Sequence, residues 1–236
     1  MMKKHMIYMW LLALAMPLLL TSCSDDNDTP SVTPTASGTV KDKDGNEYRW
    51  VRIGDLDWMA ENVRVGTPYF DDIDNDKWSI GYYSLSFEKT YAEEKALYGR
   101  FGNYYSWQEA VDNAPEGWRL PTDEDWKNLE TTLGMSREDA DKENWRSGAQ
   151  SLMMQSGEGT TQLNFCCAGQ ICYYSWNVTT YHRYDYGYYW TATSTEINGE
   201  KASYARQITP GYNAVARIKV LHEGHFLSVR YVRDAK

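Results

Sequence analysis

Residues 117–126 read GWRLPTDEDW and join a strand-like segment to a helix. Pro121 ends the preceding segment and leaves Thr122 free to cap the helix that follows. Three acidic residues occupy its first turn, where the helix dipole favours negative charge. Apolar side chains then recur at i, i+3 and i+7, and Gly134 provides a stop. The stretch therefore predicts a helix from Thr122 to Gly134 with one buried face.

Strands surround two or three short helices in the predicted fold. A second helix begins at Ser106, where Ser and Glu have capping-box spacing, and a weaker helical segment covers 147–154. Asp44-Gly45 predicts a tight hairpin turn. Strand-like segments lie at 40–43, 47–53, 163–167, 188–193, 204–208, 214–220 and 226–232. We expect an α+β domain with a mainly antiparallel sheet, in which the N- and C-terminal strands pair.

Tryptophan and tyrosine supply much of the predicted core. The chain of 236 residues has 10 Trp and 19 Tyr but 5 Phe, and this aromatic content excludes disorder over its whole length. The Trp side chains expected in the core are Trp58, Trp107, Trp118, Trp126 and Trp190. Arg230, inside the last predicted strand, is expected to pair with an acid such as Glu61. The formal net charge of -9 argues against a nucleic-acid partner.

The N-terminus carries the pattern of an export signal. Lys3 and Lys4 precede an uncharged run over 6–20, which is shorter than the ~20 residues of a membrane span. The sequence LTSC at 20–23 then resembles a bacterial lipobox, which implies a signal peptide over 1–22 and a lipid on Cys23. An ordinary secretory signal with a chance Cys is the alternative.

Acidic residues and a Pro/Ser/Thr-rich segment follow Cys23. The sequence SDDND at 24–28 resembles the surface-export signal of Bacteroidota-type lipoproteins, although a solvated tether would have the same composition. We interpret 23–38 as a flexible linker and 39–236 as the globular domain. These features predict a surface-exposed lipoprotein of a Gram-negative outer membrane, anchored in the membrane through its N-terminal lipid.

Four blocks of sequence resemble the FISUMP domain, the Fibrobacter succinogenes major paralogous domain. They are DGNEY at 44–48 with VRIG at 51–54, WMAEN at 58–62, GWRLPTDEDW at 117–126, and SVRY at 228–231. The resemblance spans roughly 39–234. It implies a secreted or lipid-anchored bacterial protein with a C-type-lectin-like fold, and it brings no catalytic residues. The chain departs from the family pattern at 163–169 and in an acidic, Tyr-rich insertion between 69 and 97.

The sequence offers little support for metal or cofactor chemistry. Alternating Asp residues at 72–76 begin like a calcium loop, but the Gly and Glu that such a loop needs are missing. His222 and His225 lie three apart without the helical motif of zinc proteases. We therefore expect no metal and no cofactor. Among the cysteines, Cys172 could form one disulfide with Cys166 or Cys167, and inert buried thiols are the alternative.

An aromatic-rich segment is the predicted ligand-binding loop. Nine of the 18 residues from 173 to 190 are aromatic, and Tyr and Trp faces stack on sugar rings. A second small core beneath the loop would explain the same composition. The candidate ligand-binding residues are Trp176, Tyr181, Tyr184 and Asp185.

These patterns favour a non-enzymatic binding module for glycan, polymer or protein. A structural or adhesive envelope component is the second hypothesis, and a polysaccharide hydrolase is the third.

Overall fold

The computed structural model describes residues 31–69, 88–153, 160–174 and 177–236, with the backbone alone for 88–94, 173–174 and 177–181. Within these ranges the chain is mixed α/β. The helices are α1 (Glu88–Phe101), α2 (Trp107–Asp112), α3 (Asp123–Thr132), α4 (Arg137–Asp141) and α5 (Ala149–Met153). The strands are β1 (Ser37–Lys41), β2 (Glu47–Ile53), β3 (Leu56–Met59), β4 (Asn144–Ser147), β5 (Gln170–Tyr174), β6 (Asn177–Tyr181), β7 (Gly187–Ile197), β8 (Glu200–Thr209), β9 (Ala214–Leu221), β10 (His225–Phe226) and β11 (Val232–Asp234).

Among the described residues, the strands form three sheets, and neighbouring strands in each sheet are antiparallel. Their orders are β1-β2-β3-β11, β10-β5-β6 and β4-β9-β8-β7. The predicted antiparallel α+β class is thus confirmed, whereas the number of helices was underestimated, because α1 and α4 were missed. The terminal strands do share a sheet, but β11 pairs with β3 rather than with β1.

The predicted hairpin and helix caps form as the local chemistry requires. In the β1–β2 turn, Gly45 takes a φ of 85°, and Asp42 accepts hydrogen bonds from the backbone of Asp44 and Asn46. Both α2 and α3 begin with complete capping boxes, and the α3 box joins Thr122 to Asp125. The sheet starts earlier than expected, since β1 begins at Ser37 within the predicted linker.

Aromatic side chains fill the core. Trp58, Trp126 and Trp190 are fully buried, and Trp118 is buried as well. Trp126 packs edge-on against Trp58 at 5.3 Å between ring centroids, and the Trp190 indole donates to the carbonyl of Tyr105 at 2.8 Å. The predicted core role is therefore confirmed for these four side chains, while the fifth, Trp107, is half-buried.

A buried ion network fastens α3 to the sheet that contains β4, β9 and β8. Asp123 accepts hydrogen bonds from Arg206 Nη1 at 2.7 Å and Arg217 Nε at 2.9 Å. Glu130 accepts from Arg206 Nε at 2.6 Å and Arg146 Nη2 at 3.0 Å. Burial alone would raise the pKa of Asp123, but hydrogen bonds and charge from Arg217 and Arg206 outweigh it and hold this pKa below 3.8.

Three predicted elements are wrong. Segment 163–167 alternates buried and less buried residues as a strand would, but Asn164 takes a φ of 51°, which breaks the extended backbone. The aromatic segment predicted as one long loop instead contains the β5–β6 hairpin, with Cys172 opposite Thr179. The predicted strand over 226–232 divides into β10 and β11, which belong to different sheets.

Candidate functional site

The predicted ligand-binding residues are described to different extents. Trp176 lies outside the described residues, as do Cys23 and segment 72–76, and for Tyr181 only the backbone is described. Tyr184 and Asp185 are exposed in a turn between β6 and β7. The Tyr184 side chain is 57% exposed, and its ring meets the Phe101 ring edge-on at 5.6 Å. Tyr184 is therefore available to a ligand and has a fixed aromatic neighbour.

The cysteines near this turn are free thiols. Cys167 is buried, and burial raises the pKa of its thiol to about 11. Burial also raises the pKa of Cys172, which lies on β5. Thiols with raised pKa values are poor nucleophiles near neutral pH. This chemistry suits the inert alternative. The structure has no bond from Cys172 to Cys166 or Cys167, and their oxidation in the exported protein stays a prediction.

A cleft of about 550 Å³ opens beside Tyr184. We call it the arginine cleft, because three of its described lining residues are arginines and one, Glu61, is acidic. The volume lies within the range of small-molecule sites. Its lining residues that bear on ligand chemistry are Arg49, Glu61, Arg100, Phe101, Asn164, Cys166, Tyr184 and Arg230. The fold thus brings together residues that sequence analysis had considered separately.

Arg230 is the buried cation of the arginine cleft, with 1% of its surface exposed. Its Nε donates to Asn62 Oδ1 at 2.5 Å, and Nη1 and Nη2 donate to backbone carbonyls, the nearest being Asn164 O at 2.7 Å. The expected ion pair with Glu61 is wrong, because that carboxylate turns to Arg49 at 3.2 Å instead. Burial lowers the pKa of Arg230, although an arginine stays protonated in proteins.

Two lining residues of the arginine cleft hold an unusual backbone conformation. Asn164 has a φ of 51° and Tyr184 a φ of 76°, and both are in the left-handed region that side chains other than Gly rarely adopt. Hydrogen bonds hold both in place, from Arg230 to the Asn164 carbonyl and from the Tyr184 amide to Cys167 O at 2.9 Å. Such strained positions cluster at functional sites.

We call a second surface the aromatic platform. Two of its residues, Tyr186 and Tyr212, each lie two positions along the chain from a lining residue of the arginine cleft. The aromatic platform is a shallow apolar pocket of about 350 Å³ lined by Trp145, Tyr186 and Tyr212, together with Thr209 and Ala214. Trp145 is 47% exposed and Tyr212 84% exposed, and the Trp145 and Tyr186 rings lie 5.9 Å apart. Rings held in the open in this way can stack on a flat ligand.

Sequence analysis missed the aromatic platform because its three rings come from distant segments. Trp145 is on β4, Tyr186 directly precedes β7, and Tyr212 is in the turn between β8 and β9. A single sheet unites them. One local signal was available. The sequence PGYN at 210–213 is typical of a tight turn, and because tight turns lie at the protein surface, the Tyr212 side chain is expected to be exposed.

The histidines of the HEGH segment have structural contacts. His222 stacks on Trp107 at 4.3 Å and lies 2.8 Å from the Ser203 hydroxyl, and His225 Nδ1 lies 2.9 Å from Glu223 O. Among the described residues, no three His, Cys, Asp or Glu side chains are grouped so as to hold a metal ion. No helix in that part of the chain is long and apolar enough to cross a membrane.

Comparison with known protein families relates the chain to one of them. The family model described as the Fibrobacter succinogenes major domain matches residues 51–233, which is more than half of the chain. No curated protein and no solved structure matches the chain. The matched range contains the aromatic platform and every described lining residue of the arginine cleft except Arg49. The chain therefore belongs to the Fibrobacter succinogenes major domain family.

Proposed function

We propose that this domain is a carbohydrate-binding module and that the aromatic platform is its sugar-stacking surface. The observation that carries the proposal is the grouping of Trp145, Tyr186 and Tyr212 around one apolar pocket at the surface. Large aromatic side chains are normally buried, as four of the seven Trp side chains in the described residues are. Their exposure at one place is typical of a binding surface.

The aromatic platform has the rigidity that a sugar-binding surface needs. Trp145 is opposite Ala216 in the β4–β9 pairing, so backbone hydrogen bonds hold it in the sheet. The amide of Tyr186 donates to the carbonyl of His182 at 2.9 Å, which closes a turn directly before β7. Aromatic side chains also lose little conformational entropy on binding. The rings can therefore meet a sugar face without major rearrangement.

The proposal places this module on the bacterial surface. Support comes from the charged and apolar N-terminus, the lipobox-like LTSC at 20–23, and the acidic residues that follow it. The lipid on Cys23 would hold the domain at the outer membrane. The C-type-lectin-like architecture belongs to the same proposal and is supported by the family resemblance and by the shared sheet of β3 and β11. Replacing Cys23 by Ala should abolish acyl labelling of the protein and its recovery in the membrane fraction. Unchanged labelling would contradict the lipid anchor.

Glycan-array binding by the purified full chain tests the aromatic platform. We expect Trp145→Ala to weaken binding to the selected glycan at least about tenfold, because stacking and its buried apolar area are lost together. Val111→Ala is the matched control, since Val111 is an exposed apolar residue on α2. Equal binding by Trp145→Ala and wild type, with folding intact, would contradict the proposal.

A further inference from the structure

The arginine cleft carries positive charge that its own residues do not neutralise. Of its three arginines, Arg49 pairs with Glu61 at 3.2 Å. The guanidinium of Arg100 makes no ion pair with any described residue, and its neighbour is the Phe101 ring at 5.0 Å. The described lining of the cleft therefore has an excess of two positive charges, in a chain whose formal net charge is -9.

Arg230 contributes to this excess from a buried position. Its hydrogen-bond acceptors within the described residues are all neutral: one Asn side chain and three backbone carbonyls. Beyond these four bonds, its guanidinium lies against two aromatic rings, Phe165 at 4.7 Å and Tyr189 at 6.0 Å. Buried charges in proteins are usually paired with an opposite charge. No carboxylate of the described residues pairs with Arg230, so its charge is available to an anion in the cleft.

Aromatic rings shape the same cleft. Phe101 and Tyr184 form an edge-on pair in its wall, and Tyr184 is held in a strained backbone conformation that keeps its ring there. A simple inorganic ion would use the arginines but not the rings. A ligand with a flat apolar face and one negative group would use both.

We propose that the arginine cleft binds an anionic group carried on a sugar ring, either a carboxylate or a sulfate. Arg100 would contact the anion directly, Arg230 would add its charge from the wall, and the Tyr184 ring would lie against the sugar. Tyr184 is two residues from Tyr186, so an acidic polysaccharide could also reach the aromatic platform. That extension rests on the proposed function, whereas anion binding in the cleft stands without it.

The test is a titration of the purified full chain with glucuronate, glucose 6-sulfate and glucose, followed by NMR. We expect at least one of the two anionic sugars to bind at least about tenfold more tightly than glucose. Comparing glucuronate with glucose 6-sulfate shows whether the cleft prefers a carboxylate or a sulfate. Arg100→Gln should weaken that binding about tenfold, since a hydrogen bond to a charged group is lost. Lys95→Gln removes the same charge from the same helix outside the cleft and should leave binding unchanged.

Two results would overturn the proposal. One is equal or undetectable binding of all three sugars, and the other is equal binding by wild type and Arg100→Gln. Arg100 is exposed, so the variant should fold, and thermal unfolding of the variant checks this. Trp145→Ala separates the two sites: it should reduce binding of a neutral oligosaccharide and leave glucuronate or glucose 6-sulfate binding unchanged.

Discussion

Buried arginines occur in two regions of the molecule with opposite surroundings. In the ion network behind α3, Arg206 and Arg146 meet the carboxylates of Asp123 and Glu130. In the arginine cleft, Arg230 is just as buried but donates to an amide side chain and backbone carbonyls. One region supplies its own anions, and the other does not.

The difference separates a structural use of arginine from a binding use. In the ion network, the carboxylates of Asp123 and Glu130 each accept hydrogen bonds from two arginines. None of the residues in these bonds lines the arginine cleft. The role of the network is to fix α3 on the sheet. The cleft opens to solvent, and its described residues offer no acid to Arg100 or Arg230, so the same residue type there can serve a ligand.

Removing one acid from the ion network should have the largest effect. Glu130→Gln leaves two buried guanidinium groups without their shared carboxylate, and breaking a buried pair in this way costs about 3–5 kcal/mol. We expect the free energy of unfolding in urea to fall by that amount. Glu138→Gln, whose side chain is 86% exposed, is the control and should change it by less than ~0.5 kcal/mol. A small effect at Glu130 would mean that the network is not structural.

Lowering the pH should weaken the ion network but not the contacts of Arg230. We expect this effect on stability to be smaller than that of Glu130→Gln. The folded-state pKa of Asp123 lies below its ordinary value of 3.8. Its contribution to stability is therefore complete above that value and is lost as the pH falls through the lower folded value. The neutral partners of Arg230 do not titrate there. We expect the stability of Asp123→Asn, measured by urea unfolding between pH 6 and pH 2, to fall less steeply than that of wild type, and parallel curves would contradict this.

Local signals in the sequence were sufficient for much of the fold. The Asp44-Gly45 turn and the Ser106 and Thr122 caps depend on residues within a few positions of each other, and all three form. The irregular segment before β5 was missed because its alternation imitates a strand, and its left-handed Asn164 is held by Arg230 from the far end of the chain. Such a constraint has no local signature.

The candidate site was predictable only in part. Tyr184 was identified from the density of aromatic residues, and it does line the arginine cleft. Arg100 and Trp145 gave no signal, since an exposed Arg in a helix and a Trp in a short strand are both unremarkable alone. Their significance depends on which segments the sheets bring together. The expected Arg230–Glu61 pair was wrong because Arg49 is the nearer cation to that acid.

The most direct test of the unneutralised arginines is a crystal structure of the chain with the preferred anionic sugar. The account predicts its carboxylate or sulfate within about 4 Å of the Arg100 guanidinium, as in an ion pair, with the sugar ring against Tyr184. Anionic sugar bound at the aromatic platform, with the arginine cleft empty at saturating ligand, would contradict it.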